Sequence, residues 1–425
     1  MSFSIKDLEE KHLKLLVYEH LSGGGFGDNQ IPKNVLCEGF GMLRTLISDF
    51  KAAGHSVTTT LDTRISRLKP PLKADSIISV SSAQEVEEKF LEILSQVDAA
   101  YIIAPETNDL LSSIVEFVEH RGLASLNCPA KAIEEVSNKI VFRESLKRNG
   151  IFVPRTLVFN IQDSAEEIGK IIRDKVNFPV VFKPSNGVSC CGLSIVRNKE
   201  QVSAAVRKIQ IETSSKEFLV EELINGAAAS VSLFCIDGKS VPASLNRQEV
   251  AIETPEVTSS YMGGSVPFDS LLQNEAFDKA KRIIELFPDL SGYIGIDFVL
   301  TEKEAVAIEV NPRLTTSYIG LRRVIDFNPA QAIINAVLKR ELPSHIEICG
   351  YTFFSKVKTT PPDVDALQTL NEMKEIISPP FPLSGNEAAW AMIASYATTL
   401  SGAKLQFNEA KKRAKKITNR GKSQW

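Results

Sequence analysis

Asp297, Glu309 and Asn311 stand in two apolar stretches, Gly295-Ile296-Asp297-Phe298-Val299 and Ala307-Ile308-Glu309-Val310-Asn311. Both stretches read as strands, Gly292 to Leu300 and Ala305 to Val310, and a turn at Thr301 to Glu304 would pair them as a hairpin. In such a ladder Asp297 and Glu309 could face each other, and Asn311, two residues past Glu309, points to the same face. Two carboxylates and an amide oxygen make an all-oxygen donor set, which suits Mg2+ carrying its own waters and a substrate's phosphates. The competing interpretation is two acids on solvated strands. The apolar neighbours weigh against it, because unpaired carboxylates there are costly to bury without a cation. Arg313 follows in Asn311-Pro312-Arg313-Leu314-Thr315-Thr316-Ser317-Tyr318. A guanidinium beside a cation site can bind phosphate oxygens as charge moves onto a transferred phosphoryl group, and the hydroxyl run suits a substrate carboxylate. Alone, this segment would be a turn.

Lys183 ends the apolar run Pro179-Val180-Val181-Phe182 and precedes a glycine-containing loop, Ser185 to Gly192. Its ammonium supplies a point charge for a phosphate, over which loop amides can fold. Alone, it is equally a lysine snorkelling at a strand end. The common P-loop is excluded, since no Gly-Lys-Ser or Gly-Lys-Thr follows four spacer residues. The run Ser22-Gly23-Gly24-Gly25-Phe26-Gly27 is not a dinucleotide fingerprint either, because Asp28 takes the third glycine position. It stands as a flexible loop or a substrate-binding one. Cys190 and Cys191 read as small fillers, with no neighbour that clearly lowers a thiol pKa.

The elements that must position these residues fall into sections. Lys14 to Glu19, Ser56 to Leu61 and Ala99 to Ala104 are apolar strands alternating with helices over Leu36–Phe50, Ala83–Ser95 and a segment ending near Arg121, the pattern of a parallel sheet covered by helices. Its functional loops would lie beyond the strand ends, at Glu19–Gly27, Asp62-Thr63-Arg64 and Pro105–Asn108. Helices near Asn138–Asn149 and Ala165–Asp174 then alternate with strands near Thr156–Phe159, Pro179–Lys183 and Leu193–Val196, followed by Phe218–Ile224. Ser230–Ile236 and Ser240–Asn246 make a hairpin at Asp237-Gly238. Helices are expected at Glu275–Leu286 and Asn328–Arg340. After Gly350, prolines punctuate the chain, a helix is expected from about Glu387 to Thr398, and the last fifteen residues, with seven Lys or Arg, read as a solvated, partly frayed terminus.

Composition narrows the function classes. The 425 residues allow two or three domains, with 43% hydrophobic and 24% charged residues as in ordinary globular chains. A net charge of -3 argues against a general nucleic-acid or membrane-surface binder, and no apolar run approaches the ~20 residues that span a bilayer. The charged, polar start lacks a signal peptide's apolar stretch, and six scattered cysteines without a Cys-x-x-Cys pair fit a reducing, cytoplasmic compartment. Only five histidines weaken hydrolase readings.

Taken in order, Ser137-Asn138-Lys139, Asn149 to Pro154, Phe178 to Pro184, Leu219 to Gly226, Gly292 to Asp297 and Ile308 to Arg313 resemble the ATP-grasp superfamily of carboxylate–amine ligases. Within it, Val17 to Phe26, Glu38-Gly39 through Gly54-His55, Thr60-Leu61-Asp62 and Pro312 to Arg322 are similar to the archaeal-type tyramine–glutamate ligases of methanofuran synthesis. The resemblance implies an α/β chain of α+β subdomains, an ATP-grasp fold preceded by a parallel-sheet pre-ATP-grasp domain. Its implied boundaries are a pre-ATP-grasp domain at 1–130, an N-terminal lobe at 131–225, a C-terminal lobe with the Mg2+ site at 226–345 and a C-terminal extension at 346–425. It further implies that Lys139 and Lys183 contact ATP phosphates, that Glu221, Glu222, Leu223 and Ile224 form the hinge along the adenine, that Asp297, Glu309 and Asn311 bind Mg2+ (or Mn2+), and that Arg313 acts with Lys183 in catalysis. Two departures bear on nucleotide affinity: Ala228 stands where many relatives have an acidic residue for the ribose, and Gly187-Val188-Ser189 where the phosphate loop often has Gly-x-Gly.

The implied reaction activates a substrate carboxylate, with glutamate the leading acid, as an acylphosphate and joins it to an amine, releasing ADP and phosphate. The partners would be small-molecule acid and amine, with no nucleic acid or membrane, and a homo-oligomer is compatible. Glu19 or Glu106 would take the amine's proton. The alternatives are a ligase for another acceptor (a peptide, a pterin-linked glutamate or a purine precursor) and a nucleotide-binding regulator that has lost catalysis.

Overall fold

The computed structural model describes residues 12–67, 70–185, 187, 190–382 and 388–419. Three sheets organise the α/β chain. The first comprises β1 (Lys14–Glu19), β2 (Ser56–Asp62), β3 (Ser76–Val80), β4 (Ala99–Ile103) and β5 (Ala124–Ser125), all parallel, in the order β3-β2-β1-β4-β5. β4 (AAYII) is buried along its whole length, as a central strand covered on both faces must be. The covering helices include Lys33–Ala52, Ala83–Leu94 and Leu110–Glu119. β1 delivers Glu19 to the sheet's carboxyl edge, and β4 leads to Glu106 there.

The second sheet is a small antiparallel lobe of β6 (Thr156–Asn160), β7 (Val180–Pro184), β8 (Ser194–Val196) and β9 (Glu217–Glu222), in the order β6-β9-β7-β8. Its core is its own: Phe159, Phe182 and Phe218 stack between the strands and the Ala165–Lys175 and Val202–Glu212 helices. β9 ends at Glu222, and residues 223–226 cross to the third sheet.

The third sheet holds β10 (Ala227–Ile236), β11 (Lys239–Ala251), β12 (Ser260–Val266), β13 (Gly292–Leu300), β14 (Ala305–Asn311), β15 (Tyr351–Thr359), β16 (Ile376–Phe381) and β17 (Ala389–Ala397), in the order β14-β13-β10-β11-β12-β15-β17-β16. Residues expected as a C-terminal extension thus supply three of its eight strands. The first and third sheets share cores: one apolar cluster runs from Val17 and Phe40 through Tyr318 to Phe381 and Met392.

Several expectations need correction here. The helix expected from Glu387 to Thr398 is β17, whose run AWAMIASYA lies between the Lys33–Ala52 and Leu400–Asn419 helices (Glu387 itself lies outside the described residues). Alanine favours helices, but an apolar run this short carries no period that separates a buried strand from a buried helix. The frayed terminus is instead a 20-residue helix, Leu400–Asn419, with Ala403, Phe407, Ala410, Ala414 and Thr418 buried; residues 420–425 lie outside the described residues. Pro379 and Pro380 sit within β16, an edge strand, where a missing N–H costs no ladder bond. β12 carries Gly263 and Gly264, residues that weaken a strand's local signal, yet a Cβ on Gly264 would lie 1.9 Å from the Arg247 carbonyl oxygen. The Asn328–Arg340 helix is an α-helix over Pro329–Ile334 that widens over Asn335–Lys339. Among the described residues no helix is long and apolar enough to cross a membrane.

Candidate active site

The three sheets meet at the carboxyl edge of the first, and the charged residues singled out by type and spacing converge there. On β13 and β14, Asp297 pairs directly with Glu309, and Asn311 with Gly295. A bulge follows between Asp297 and Phe298, where the extra residue twists the ladder beside the acids. Asn311 hydrogen-bonds Asp297, and Gln248 of β11 donates to Asp297 Oδ1 at 3.0 Å. Gln248 carries no motif and is legible only once β11 is placed two strands from β13. Burial, then the charge of Glu309, pushes the Asp297 carboxyl up to about 8. Glu309 lies below the ordinary carboxylate range: burial opposes this, but Lys139, Lys183 and Arg313 outweigh it.

Lys139 opens the Lys139–Arg148 helix, whose first amides are capped by Asn138 Oδ1 at 3.0 and 3.2 Å. Its ammonium reaches Glu309 Oε2 at 2.9 Å and the Gly187 carbonyl oxygen at 3.1 Å, tying the β7–β8 loop to β14. Against burial, the charges of Glu309, Glu106 and Glu221 raise it. The rest of the expected phosphate loop is only partly visible: Asn186, Val188 and Ser189 lie outside the described residues. Lys183 is not a snorkelling strand-end residue. It is buried on β7 and paired at 2.7 Å with buried Glu221 of β9. Glu222 faces the other way, as strand alternation requires, and holds Arg155 Nε at 2.8 Å. Leu223 and Ile224 lie in the crossing between lobe and third sheet, half-buried.

Arg313 joins the first sheet to the third. Its Nε and Nη2 both reach Glu106 Oε2 at 3.0 Å, and Nη1 donates to the Leu314 carbonyl oxygen. Glu106 Oε1 is buried with no partner of its own. The hydroxyl run after Arg313, expected to meet a substrate carboxylate, is engaged within the protein: Thr315 with Tyr293 at 3.0 Å, Thr316 with Glu38 at 3.2 Å, and Ser317 with Ser230 at 3.4 Å. These contacts hold the Arg313 segment against the sheet. Glu19 is also committed. Its carboxylate accepts from the Leu21 amide and from the Ser22 amide and hydroxyl, and a Cβ on Gly39 would lie 2.5 Å from it, so a side chain there would have to push the Glu19 carboxylate off these bonds. The glycine-rich segment after β1 is therefore pinned at its start by Glu19. Cys190 sits near Glu309, and burial pushes its thiol up to about 12, which makes a poor nucleophile.

The donor chemistry fits a hard divalent cation. Burial, and after it the charge of Glu309 on the paired strand, holds a proton on Asp297, and a cation would displace it. Among the described residues no three His, Cys, Asp or Glu side chains form a metal-type group, so such a set consists of two carboxylates completed by the Asn311 amide.

Residues 136–317 match the model of an ATP-grasp domain, and residues 55–133 that of a pre-ATP-grasp domain. Tyramine–L-glutamate ligase of Methanocaldococcus jannaschii is 26% identical over 311 residues, covering 72% of this chain and 84% of that protein. The enzyme of the same name from Methanocaldococcus fervens is 25% identical over 336 residues, 78% of this chain and 97% of its own. The Campylobacter jejuni biotin carboxylase, solved as a β-γ-ATP complex, superposes with a TM-score of 0.69 over 94% of this chain and 90% of that one; at 14% identity the likeness is one of fold.

Proposed function

We propose, for a chain that belongs to the ATP-grasp superfamily, an ATP-dependent ligase that activates a substrate carboxylate as an acylphosphate and joins it to an amine. The carrying observation is the convergence of Lys139, Lys183 and Arg313 on the Asp297–Glu309 pair from the Lys139–Arg148 helix, from β7 and from the segment after β14. The difficulty of the reaction is bringing an anionic acid to an anionic triphosphate. Lys139 and Lys183 are placed to neutralise phosphate oxygens, and Arg313 to meet charge on the transferred phosphoryl group. Glu221 aims the Lys183 ammonium and Glu106 the Arg313 guanidinium, so both cations are preorganised. Asp297, Glu309 and Asn311 would hold Mg2+, which supplies charge neutralisation at the phosphates when bound. Glu222, Leu223 and Ile224 extend the Glu221 strand into the crossing, where the adenine would lie.

The substrate carboxylate attacks the γ-phosphate, breaking its bond to the ADP oxygen; the amine then adds to the acyl carbon, and the C–O bond to phosphate breaks, its electron pair leaving with the phosphate. Between the two acids considered for the amine's proton, Glu106 is favoured, because Oε1 has no partner while the Glu19 oxygens are held by backbone and Ser22. Glutamate and tyramine lead as acid and amine, from the two relatives above. Six free thiols suit a reducing cytoplasm.

The test is ADP release with Mg2+-ATP across amino acids and amines, with mass spectrometry of the products. ADP and an amide from one pair identify both substrates. ATP binding with no ADP from any pair would sink the ligase and favour a regulator.

A further inference from the structure

A further pair of opposite charges is buried where the parallel domain, the Arg313 segment and the C-terminal strands meet. Glu38, on the Lys33–Ala52 helix, and Lys356, on β15, are joined at 2.6 Å, with side chains 9% and 7% exposed. Thr316, three residues past Arg313, donates to the other Glu38 oxygen at 3.2 Å, and Tyr261 of β12 bonds Thr316 in turn. The cluster borders the site described above. Burial and then the charges of both Glu38 and Asp297 raise the Tyr261 phenol, and Cys190 lies in the fields of Glu309, Glu38 and Lys356 together.

As a brace between two domains such a pair is a poor choice. Stripping water from both charges offsets most of their attraction, and an apolar pair of equal volume packs as well or better. As a receptor it is well matched. An anion and a cation side by side are complementary to one small group that carries both charges, the ammonium and carboxylate on the α-carbon of an amino acid.

We propose that Glu38 and Lys356 form the head-group subsite for an α-amino acid, Glu38 taking its ammonium and Lys356 its α-carboxylate. This rests on the ligase proposed above and names the class of one substrate. Binding exchanges the Glu38–Lys356 contact for two contacts of the same kind with the ligand, so no charge is left unpaired in a buried place. Thr316 keeps Glu38 oriented during the exchange and links the subsite to the Arg313 segment.

The experiment titrates the full chain, with Mg2+ and a non-hydrolysable ATP analogue, against L-glutamate, N-acetyl-L-glutamate and glutarate, then the other L-amino acids, reading heat and Tm. The expected result is binding of an L-amino acid, rejection of the probes that lack a free ammonium, and affinity lower by about tenfold or more in Glu38→Gln and Lys356→Met. Binding of the ATP analogue should be unchanged in both. A Glu38→Leu/Lys356→Met double variant should keep the wild-type Tm and still fail to bind, which separates loss of the subsite from loss of the fold. Equal affinity for L-glutamate and glutarate, wild-type affinity in both single variants, or no binding of any L-amino acid would overturn the proposal. ADP release measured on the same samples distinguishes the two levels. Amino-acid binding without turnover removes the ligase and keeps the subsite; turnover of glutarate as good as that of glutamate does the reverse.

Discussion

Replacing Glu309 with Gln removes a charge that acts in two opposite directions. It pairs Lys139 at 2.9 Å, and that side chain is only 13% exposed. Hydrogen bonds to charged groups are worth about 1.5–3 kcal/mol, and the 28% exposure of the Glu309 side chain places this one near the lower end. Against that loss, the same charge repels Asp297 on the paired strand. At about 5 Å and an effective dielectric near 20, two full charges oppose each other by about 3 kcal/mol. Because Asp297 holds a proton through much of the range below about 8, only part of that is relieved at neutral pH. The two effects nearly cancel, so Glu309→Gln should change stability by no more than ~1–2 kcal/mol, a few degrees of Tm. Turnover is another matter. The proposed cation set loses one of its two carboxylates, and removing one preorganised electrostatic group typically costs on the order of 10²- to 10³-fold in kcat. The assay is ADP release with Mg2+ varied over several decades, beside a thermal melt. Lys139→Met is the control: it also breaks the ion pair but leaves both carboxylates, so only Glu309→Gln should raise the Mg2+ needed for half-maximal rate. Wild-type turnover in Glu309→Gln at low Mg2+ would falsify the metal assignment and leave Glu309 as no more than the partner of Lys139.

The raised Asp297 carboxyl makes a pH prediction with a definite sign. Its folded value of about 8 exceeds the ordinary 3.8, so the folded state keeps a proton that the unfolded chain releases, and this contribution is lost as pH rises from about 4 to about 8. In EDTA, Tm should therefore fall across that window more steeply than in Asp297→Asn, and excess Mg2+ should flatten the slope; identical slopes for both proteins would dismiss the shift. Glu106→Gln keeps a hydrogen-bond acceptor for Arg313 but removes the anion, and should lower kcat/KM for the amine by about 10- to 100-fold with ATP binding unchanged. A uniform loss of ATP binding instead would make Glu106 only a brace for Arg313. Phe407 is 5% exposed and packs edge-on against Phe353 at 4.9 Å, so Phe407→Ala should cost about 3–4 kcal/mol in urea unfolding. Ending the chain at residue 349 would remove β15 to β17 and bare the edge of β12, giving an aggregating product; a soluble, folded fragment would contradict the continuous third sheet.

Much of the fold was legible because its signals are local. The apolar runs of β1, β4 and β7 and the hairpins at Asp237-Gly238 and Thr301–Glu304 all depend on residues within a few positions of one another. The Asp297–Glu309–Asn311 set was legible for the same reason, since one hairpin and the two-residue period of a strand bring the three together. The C-terminal strands were not, because what makes Ala389–Ala397 a strand is the pair of helices covering its two faces rather than any period within it. Nor could the ion pairs be read. Arg313 and Glu106 are 207 positions apart and Lys356 and Glu38 are 318 apart, and nothing near any of these residues says which of the 52 acids will meet which cation. Residue types fixed the chemistry available to this chain. Partner choice waited on the fold, because charges attract in all directions and only the packed sheets exclude the water and the competing ions that would otherwise pair with them.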